Sequence, residues 1–389
     1  MRPLVLTAST AISAVGCGIA ATLAALQDRR SGLRPSDFGV ASRGWIGRVD
    51  GVEQHRLPPT LAAFDCRNNR LADLALHTDG FADAVASCVA RYGAGRIAVV
   101  IGTSTSGVLS GEDAYAGRDA DGALPANFDY DHTQDMFSAA RFVRAVLGLR
   151  GPALVVSTAC ASSAKSFIDA QHLIESGVCD AAVVGGVDSL CRMTLEGFAS
   201  LDLISPTPCR PGDAARGGIS IGEAAGFALL ERDGCGMRLL GAGATSDGYH
   251  MSSPHPEGAG AIGAMRIALR QAGLRASDVD YVNLHGTGTR ANDAMEDIAV
   301  ATVFGPDVPC SSTKGWTGHT LGACGILEAV IAGQCMAAGF APGGLGIERV
   351  DPAFRARVLV DNTPGPIRIV ASNAFGFGGI NCCLVFGAG

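Results

Sequence analysis

Short apolar, β-branched runs alternate with helical patterns along the whole chain, and the series is run through twice. Leu4–Leu6, Ile97–Ile101, Ala153–Val156, Ala181–Val184 and Phe227–Leu230 make up the first set. Arg238–Gly241, Tyr281–Leu284, Val358–Val360, Ile367–Ala371 and Cys382–Phe386 make up the second, with helical patterns such as Ala261–Gln271 and Ala294–Phe304 between them. Runs without polar alternation predict strands covered on both faces, and their alternation with helices predicts α/β layers. The turn-rich stretch Glu231–Gly236 predicts a hinge between two similarly built halves, 1–235 and 236–389.

Composition narrows the function classes. Hydrophobic residues are 48% and charged residues 17%, which excludes a disordered chain and predicts much buried surface, including subunit contacts. Thirty basic against thirty-seven acidic side chains give −7, so the chain repels phosphate backbones and nucleic acid is not an expected partner. Thirteen cysteines, irregularly spread and without a C-x-x-C pair, write neither a disulfide framework nor a zinc site, and predict a reducing compartment.

The opening Met1-Arg2-Pro3 and the apolar stretch behind it have some signal-peptide character, even a lipid-accepting Cys17. Thr7, Ser9, Thr10 and Ser13 interrupt the run, however, and LVLTA reads as a buried strand leading into a helix at GIAATLAALQ. No unbroken apolar stretch reaches the eighteen or so residues of a membrane span, so the expectation is a soluble, cytoplasmic protein.

Three turns carry the chemistry. In ALVVSTACASSAKSFIDAQHLIESG a strand ends in small residues and a helix begins with Cys160 in its first turn. A helix N-terminus favours thiolate over thiol and points backbone N–H groups at whatever bonds to the sulfur. A cysteine among Ala and Ser can equally be a small core filler. His285 in NLHGTGTRAND and His319 in SSTKGWTGHTLGACG each follow a strand and sit in glycine-rich backbone, as Cys160 does. A single loop histidine is usually a satisfied polar residue, but strand ends of α/β sheets are where sites assemble. Lys314 and Glu328 are spaced to form a pair that orients the site or a plain exposed ion pair. Near the end, SNAFGFGGIN alternates Phe375 and Phe377 with glycines that permit positive φ and a mobile, water-excluding loop. Neither this stretch nor GVLSG near Val108 is a phosphate loop, and His255 in HMSSPHPEG reads as turn material.

STACASS, HGTGT, KGWTGHTLGACG and NAFGFGGIN, in this order, resemble the β-ketoacyl-acyl carrier protein synthases, decarboxylating condensing enzymes of the thiolase-like superfamily. RPGDAARGGISIGEAAGFALLE and DGYHMSSPHPEG extend the resemblance over nearly the whole chain. It implies a five-layer αβαβα fold of two βαβαβαββ halves, and a dimer. Carried over by motif, Cys160 is the acyl-accepting nucleophile, His285 and His319 handle malonyl decarboxylation, and Lys314 with Glu328 holds that pair in place. By the same resemblance Phe377 is expected to be the gating ring, its backbone N–H joining that of Cys160 in an oxyanion hole, and Thr287 and Thr289 are expected to hold a 4′-phosphopantetheine arm; the resemblance implies a cofactor carried by the substrate, none resident, and no metal. Phe198, Thr105 and Phe375 are implied to line the acyl pocket.

The resemblance also implies an acidic acyl carrier protein as partner, for which Arg67 and Arg70 in DCRNNRLADLAL are candidate contacts; ordinary solvated helix charges are the alternative. Ile380 stands where the family commonly has Thr, and hydroxyl-rich GTSTSGV replaces an apolar or glycine-rich segment. These features, with VDSLCRMTLEGFASL, are similar to the ketosynthases of aryl polyene pathways, which work beside a chain-length-factor-like partner, so the implied dimer is a homodimer or a heterodimer with such a partner. Three other readings stand beside it: a non-catalytic chain-length subunit, a thiolase using Cys382 or Cys383 as base, and a Cys/His thioester hydrolase.

Overall fold

A computed structural model describes residues 3–38 and 44–389; Met1 and Arg2 of the signal-like opening lie outside the described residues. The first set of strands is β1 (Leu4–Ser13), β2 (Ile97–Gly102), β3 (Ala153–Val156), β4 (Ala181–Asp188) and β5 (Ala224–Glu231). The second is β6 (Met237–Ser246), β7 (Tyr281–Asn283), β8 (Pro309–Ser311), β9 (Ile369–Gly376) and β10 (Ile380–Gly387). Helices α1 (Arg67–Leu76), α2 (Ser138–Val146), α3 (Ser162–Glu175), α4 (Arg192–Ser200), α5 (Ala259–Ala272), α6 (Arg290–Phe304) and α7 (Cys324–Ala338) stand between them.

The two sets are wound alike. The first runs β3-β2-β4-β5-β1 and the second β8-β7-β9-β10-β6, so the same positions recur in the same order. In each, the first three strands are parallel and the next two antiparallel. The sets meet where β1 pairs antiparallel with β6, Leu4 opposite Leu239. Glu231–Gly236 is therefore no hinge but the turn between β5 and β6, which flank β1 on either side.

Sequence reading missed β8, because a three-residue strand spelling PCS has no β-branched run; its pairing with β7 makes it a strand. Val358, expected inside a main strand, forms only a two-residue edge beside β8.

Side-chain burial sets the layers. Ala164, Phe167 and Ile168 of α3 and Ile326, Leu327 and Val330 of α7 share one apolar cluster with inward residues of both strand sets. Leu71 and Ala75 of α1 with Phe142 and Val143 of α2 cover the outer face of the first set. Ala264 and Ala268 of α5 with Val300 of α6 cover the outer face of the second. Helices outside, sheet, helices between, sheet and helices outside make up the αβαβα order. The stretch Leu321–Ala338 is apolar and long enough to cross a membrane, but 72% of it is buried in that central layer.

Candidate active site

The nucleophile turn is built under strain. After β3 the chain bends through Ala159, whose φ of +49° lies in the left-handed region that a residue with a Cβ enters at a cost of about 1–2 kcal/mol. Ser162 stabilises the bend, its hydroxyl donating to the Ala159 carbonyl at 2.5 Å and accepting the Thr158 amide at 2.9 Å. Cys160 lies two residues ahead of α3 rather than within its first turn. The backbone N–H groups of Phe377 and of Cys160 itself are directed at the sulfur.

Burial pushes the Cys160 thiol up to about 12, against the opposing pull of the Lys314 charge and with a further upward push from Asp188. The resting nucleophile is thus a thiol, which corrects the expectation of a thiolate set by the helix terminus. Its 6% exposure leaves too little water for the N–H donors to outweigh desolvation.

His319 supplies the ring beside the thiol. Its Nε2 lies 3.0 Å from Cys160 Sγ, and its backbone is fixed by Ser220 and Gly222, at 2.7 and 2.9 Å. His285 stands edge-on to it, ring centroids 5.2 Å apart at 82°. The sulfur and one nitrogen from each ring fall within 4.8 Å of one another. Burial first, and then the Lys314 charge, hold both imidazoles well below their ordinary pKa, so both are neutral at physiological pH.

Lys314 and Glu328 form no exposed pair. Lys314 is 1% exposed, and its ammonium donates to Glu328 Oε1 at 2.6 Å and to the His285 carbonyl at 2.5 Å. Burial works against that charge, but the adjacent carboxylate holds the Lys314 pKa above its usual value; burial in turn raises Glu328.

Two acids on α6 that sequence reading passed over shape the His285 turn. Glu296 accepts the amides of His285 and Gly286 at 2.8 and 2.7 Å, and burial lifts it to about 7. Asp293 accepts the amides of Thr287 and Gly288 at 3.0 and 3.1 Å. Their three-residue spacing directly behind HGTGTRAN puts both on the start of one helix face, and that was the available signal.

The β9–β10 turn closes the other side. Gly376 lies so near the nucleophile turn that a Cβ there would stand 2.4 Å from the Thr158 carbonyl, while Gly378 and Gly379 take φ of +86° and +81°. Phe377 packs its ring on Phe198, centroids 5.6 Å apart, and Phe375 faces His285 at 5.7 Å. Cys160, His285 and His319 open onto a cavity of about 470 Å³ that these three phenylalanines, Thr287 and Thr289 also line. The two threonine hydroxyls are 2.9 Å apart.

Three expected residues lie elsewhere. Thr105 is fully buried, bonded through its hydroxyl and amide to Asp188 and absent from the cavity wall. Arg67 is also buried: it grips Glu223 at 2.9 and 2.5 Å and reaches Glu53, so it offers no charge to a partner. Arg70 closes on Asp65, its Nη2 at 2.7 Å. The cations that do line the cavity are Arg216, neutralised by Asp293 and Asp351, and exposed Arg290. Cys382 and Cys383 are fully buried within β10 and are not among the cavity-lining residues, so neither is placed to act as a thiolase base.

A buried cysteine, a contacting neutral histidine, a second histidine edge-on and converging backbone donors, on a duplicated αβαβα scaffold, define an acyl-transferring enzyme of the condensing type. Comparison with known proteins agrees. The chain belongs to the β-ketoacyl synthase family: the family's N-terminal domain matches residues 71–234 and its C-terminal domain residues 237–348. Nodulation protein E of Rhizobium meliloti (strain 1021) is 32% identical over 99% of both chains. The 3-oxoacyl-[acyl-carrier-protein] synthase 2 of the same organism is 31% identical over 99% of this chain and 98% of its own length. Among solved structures, the ketosynthase ApeO of Xenorhabdus doucetiae, determined in complex with its chain length factor ApeC, is 38% identical and superposes with a TM-score of 0.93, over 100% of this chain and 98% of that one.

Proposed function

We propose that this chain extends acyl groups carried on an acyl carrier protein by two carbons, through decarboxylative condensation with a malonyl thioester on Cys160. The observation that carries this reading is the 3.0 Å contact between His319 Nε2 and Cys160 Sγ, with His285 beside it in the same cavity.

The 4′-phosphopantetheine arm enters past Thr287 and Thr289. Cys160 Sγ attacks the acyl carbonyl, whose oxygen takes the N–H groups of Cys160 and Phe377. The thiol proton passes to His319 and ends on the sulfur of the departing arm. Thioester exchange is nearly balanced in energy, so oriented donors suffice; each is worth roughly 10²–10³ in rate. A malonyl arm then occupies the cavity, its carboxylate leaves as carbon dioxide, and His285 together with His319, which has by then exchanged to its Nε2–H tautomer, donates N–H to the enolate oxygen. The enolate carbon attacks the acyl carbonyl, the C–S bond breaks, and the Cys160 thiolate that leaves takes up one proton from solvent, the proton that the condensation consumes overall. Two neutral imidazoles suit this step, which needs donors to an oxyanion rather than a base. Phe377 on Phe198 keeps water from the acyl-enzyme.

The halves 1–235 and 236–389 divide the labour, the first bringing the nucleophile and the second both histidines and the gate. The similarity to ApeO supports an aryl polyene pathway and a heterodimer with a chain-length-factor-like partner, and thirteen free cysteines support a reducing compartment such as the cytoplasm. A purely non-catalytic chain-length role fits poorly, because Cys160 and both histidines are present and in contact. Incubation with acyl carriers of several chain types, followed by peptide mass analysis, tests the reading: an acyl mass on the Cys160 peptide is expected, and its absence with every donor refutes it.

A further inference from the structure

Asp188 ends β4 fully buried, and six donors converge on its carboxylate. Oδ1 accepts from the Thr103 hydroxyl at 2.7 Å, the Ser104 amide at 2.8 Å, and the Thr105 amide and hydroxyl at 2.9 Å each. Oδ2 accepts from the Ser104 hydroxyl at 2.5 Å and the Gly322 amide at 2.6 Å. Among the described residues no lysine or arginine forms an ion pair with it. A carboxylate buried without a cation is costly, and charge-assisted hydrogen bonds are what offset that cost.

The donors come from two separate segments. One is the turn after β2; the other is the segment that carries His319. Each holds a non-glycine residue in the left-handed region, Ser106 at φ +45° and Leu321 at φ +52°, which persists only where the surroundings over-determine it. Gly322 approaches so closely that a Cβ there would stand 2.8 Å from Asp188 Oδ2 and 3.0 Å from the Ser104 amide. Ser220 and Gly222 fix the backbone of His319 itself; the tie on its C-terminal side comes from Asp188.

We infer that Asp188 is a positioning residue for His319: by pinning Gly322 to the 103–105 turn, its carboxylate holds the bend at Leu321 and with it the imidazole's contact to Cys160 Sγ. The inference rests on the reading of Cys160 and His319 as the working pair. It also explains why Thr103, Ser104 and Thr105 bear hydroxyls: three side chains and two amides of one turn are spent on a single carboxylate. The charge reaches the nucleophile as well. The charges acting on the sulfur are the Lys314 ammonium and this carboxylate, which adds to the upward push on the thiol, while the groups beside it, His285, His319 and the Cys324 thiol that donates to the Cys160 carbonyl at 3.1 Å, are neutral.

Asp188→Asn keeps the size but turns two acceptor oxygens into one. We expect single-turnover acylation of Cys160 and carbon dioxide release to fall together by about 10²-fold, the scale of a small misplacement of a reacting group, with KM for the carrier unchanged. Alkylation of Cys160 by iodoacetamide should show its pH midpoint moving down, because an anion has gone; loss of packing alone does not produce that shift. Wild-type rates in folded D188N overturn the proposal. So does a uniform loss that merely tracks the unfolded fraction. Should D188N fail to fold, Gly322→Ala decides: lowered kcat at unchanged KM supports the clamp, and unchanged kcat overturns it. Alkylation needs no substrate, so a wild type that alkylates at Cys160 yet accepts no acyl group removes the functional reading while the shift in D188N still reports on the clamp.

Discussion

The ammonium of Lys314 donates to the backbone carbonyl of His285 at 2.5 Å, so one buried charge stands beside both imidazoles of the site. That charge is a cause of the low pKa of each ring, and it is itself held by Glu328. Lys314→Met leaves Glu328 buried and unpaired, and destabilises the protein by about 3–5 kcal/mol. Adding Glu328→Leu should restore most of the stability without restoring decarboxylation. Urea unfolding beside carbon dioxide release separates the two effects; recovery of turnover in the double variant contradicts the assignment.

The two neutral histidines make stability depend on pH with a definite sign. Below their ordinary pKa of about 6.5 they bind protons in the unfolded chain but not in the folded one. Stability therefore falls as pH drops through that value and is flat above it as far as these groups are concerned. Each contributes up to about 1.4 kcal/mol per pH unit. Glu296, lifted to about 7, works in the opposite sense between its ordinary range and that value, so the wild type is best compared with a His285→Gln, His319→Gln double variant, in which the carboxylate cancels. The difference in unfolding free energy should rise from pH 5 to about 6.5 and then level; a difference independent of pH contradicts it.

Gly376 is required by proximity to the Thr158 carbonyl. Gly376→Ala must displace either the β9–β10 turn or the nucleophile turn, at a cost of about 1–3 kcal/mol, and it draws the Phe377 amide away from the sulfur. Acylation of Cys160 should slow by roughly 10²-fold, as for loss of one oxyanion donor. An unimpaired acylation rate counts against the Phe377 amide as a donor.

Cations at the cavity and cations in the core should separate by kinetics. Arg290→Ala removes an exposed charge from the cavity wall and is expected to raise KM for the carrier several-fold, more at low salt than at high. Arg67→Met leaves Glu223 unpaired in the core and should lower stability by about 3–5 kcal/mol without moving KM. The reverse pattern contradicts this assignment of the charges.

What could be read from the chain, and what could not, divides along physical lines. Cys160 and His285 were legible because each follows a strand run, and all three, His319 included, because they sit in small or glycine-rich backbone. The duplicated strand series was legible from runs such as Ala181–Val184. Asp188 and Glu296 were not, since their roles depend on amides that only folding brings near, Gly322 being 134 residues from Asp188. Arg67 looked like a surface cation because nothing in RNNR announces that Glu223, 156 residues on, waits in the core. Thr105 was drawn to the acyl pocket by its neighbours, yet its hydroxyl turns the other way, toward Asp188. The thiol's protonation was missed because a helix terminus is visible in sequence and desolvation is not.

The central claim, that Cys160, His285 and His319 act as one condensing site, is tested most directly by following carbon dioxide and product together in a single turnover. Protein preloaded with an acyl group on Cys160 is mixed with malonyl carrier. The account predicts stoichiometric carbon dioxide release, disappearance of the acyl mass from the Cys160 peptide and an equal amount of 3-oxoacyl carrier, with His285→Ala retaining the acyl mass but releasing almost no carbon dioxide. Carbon dioxide release undiminished in His285→Ala, or loss of the acyl group to water without 3-oxoacyl product, would contradict it.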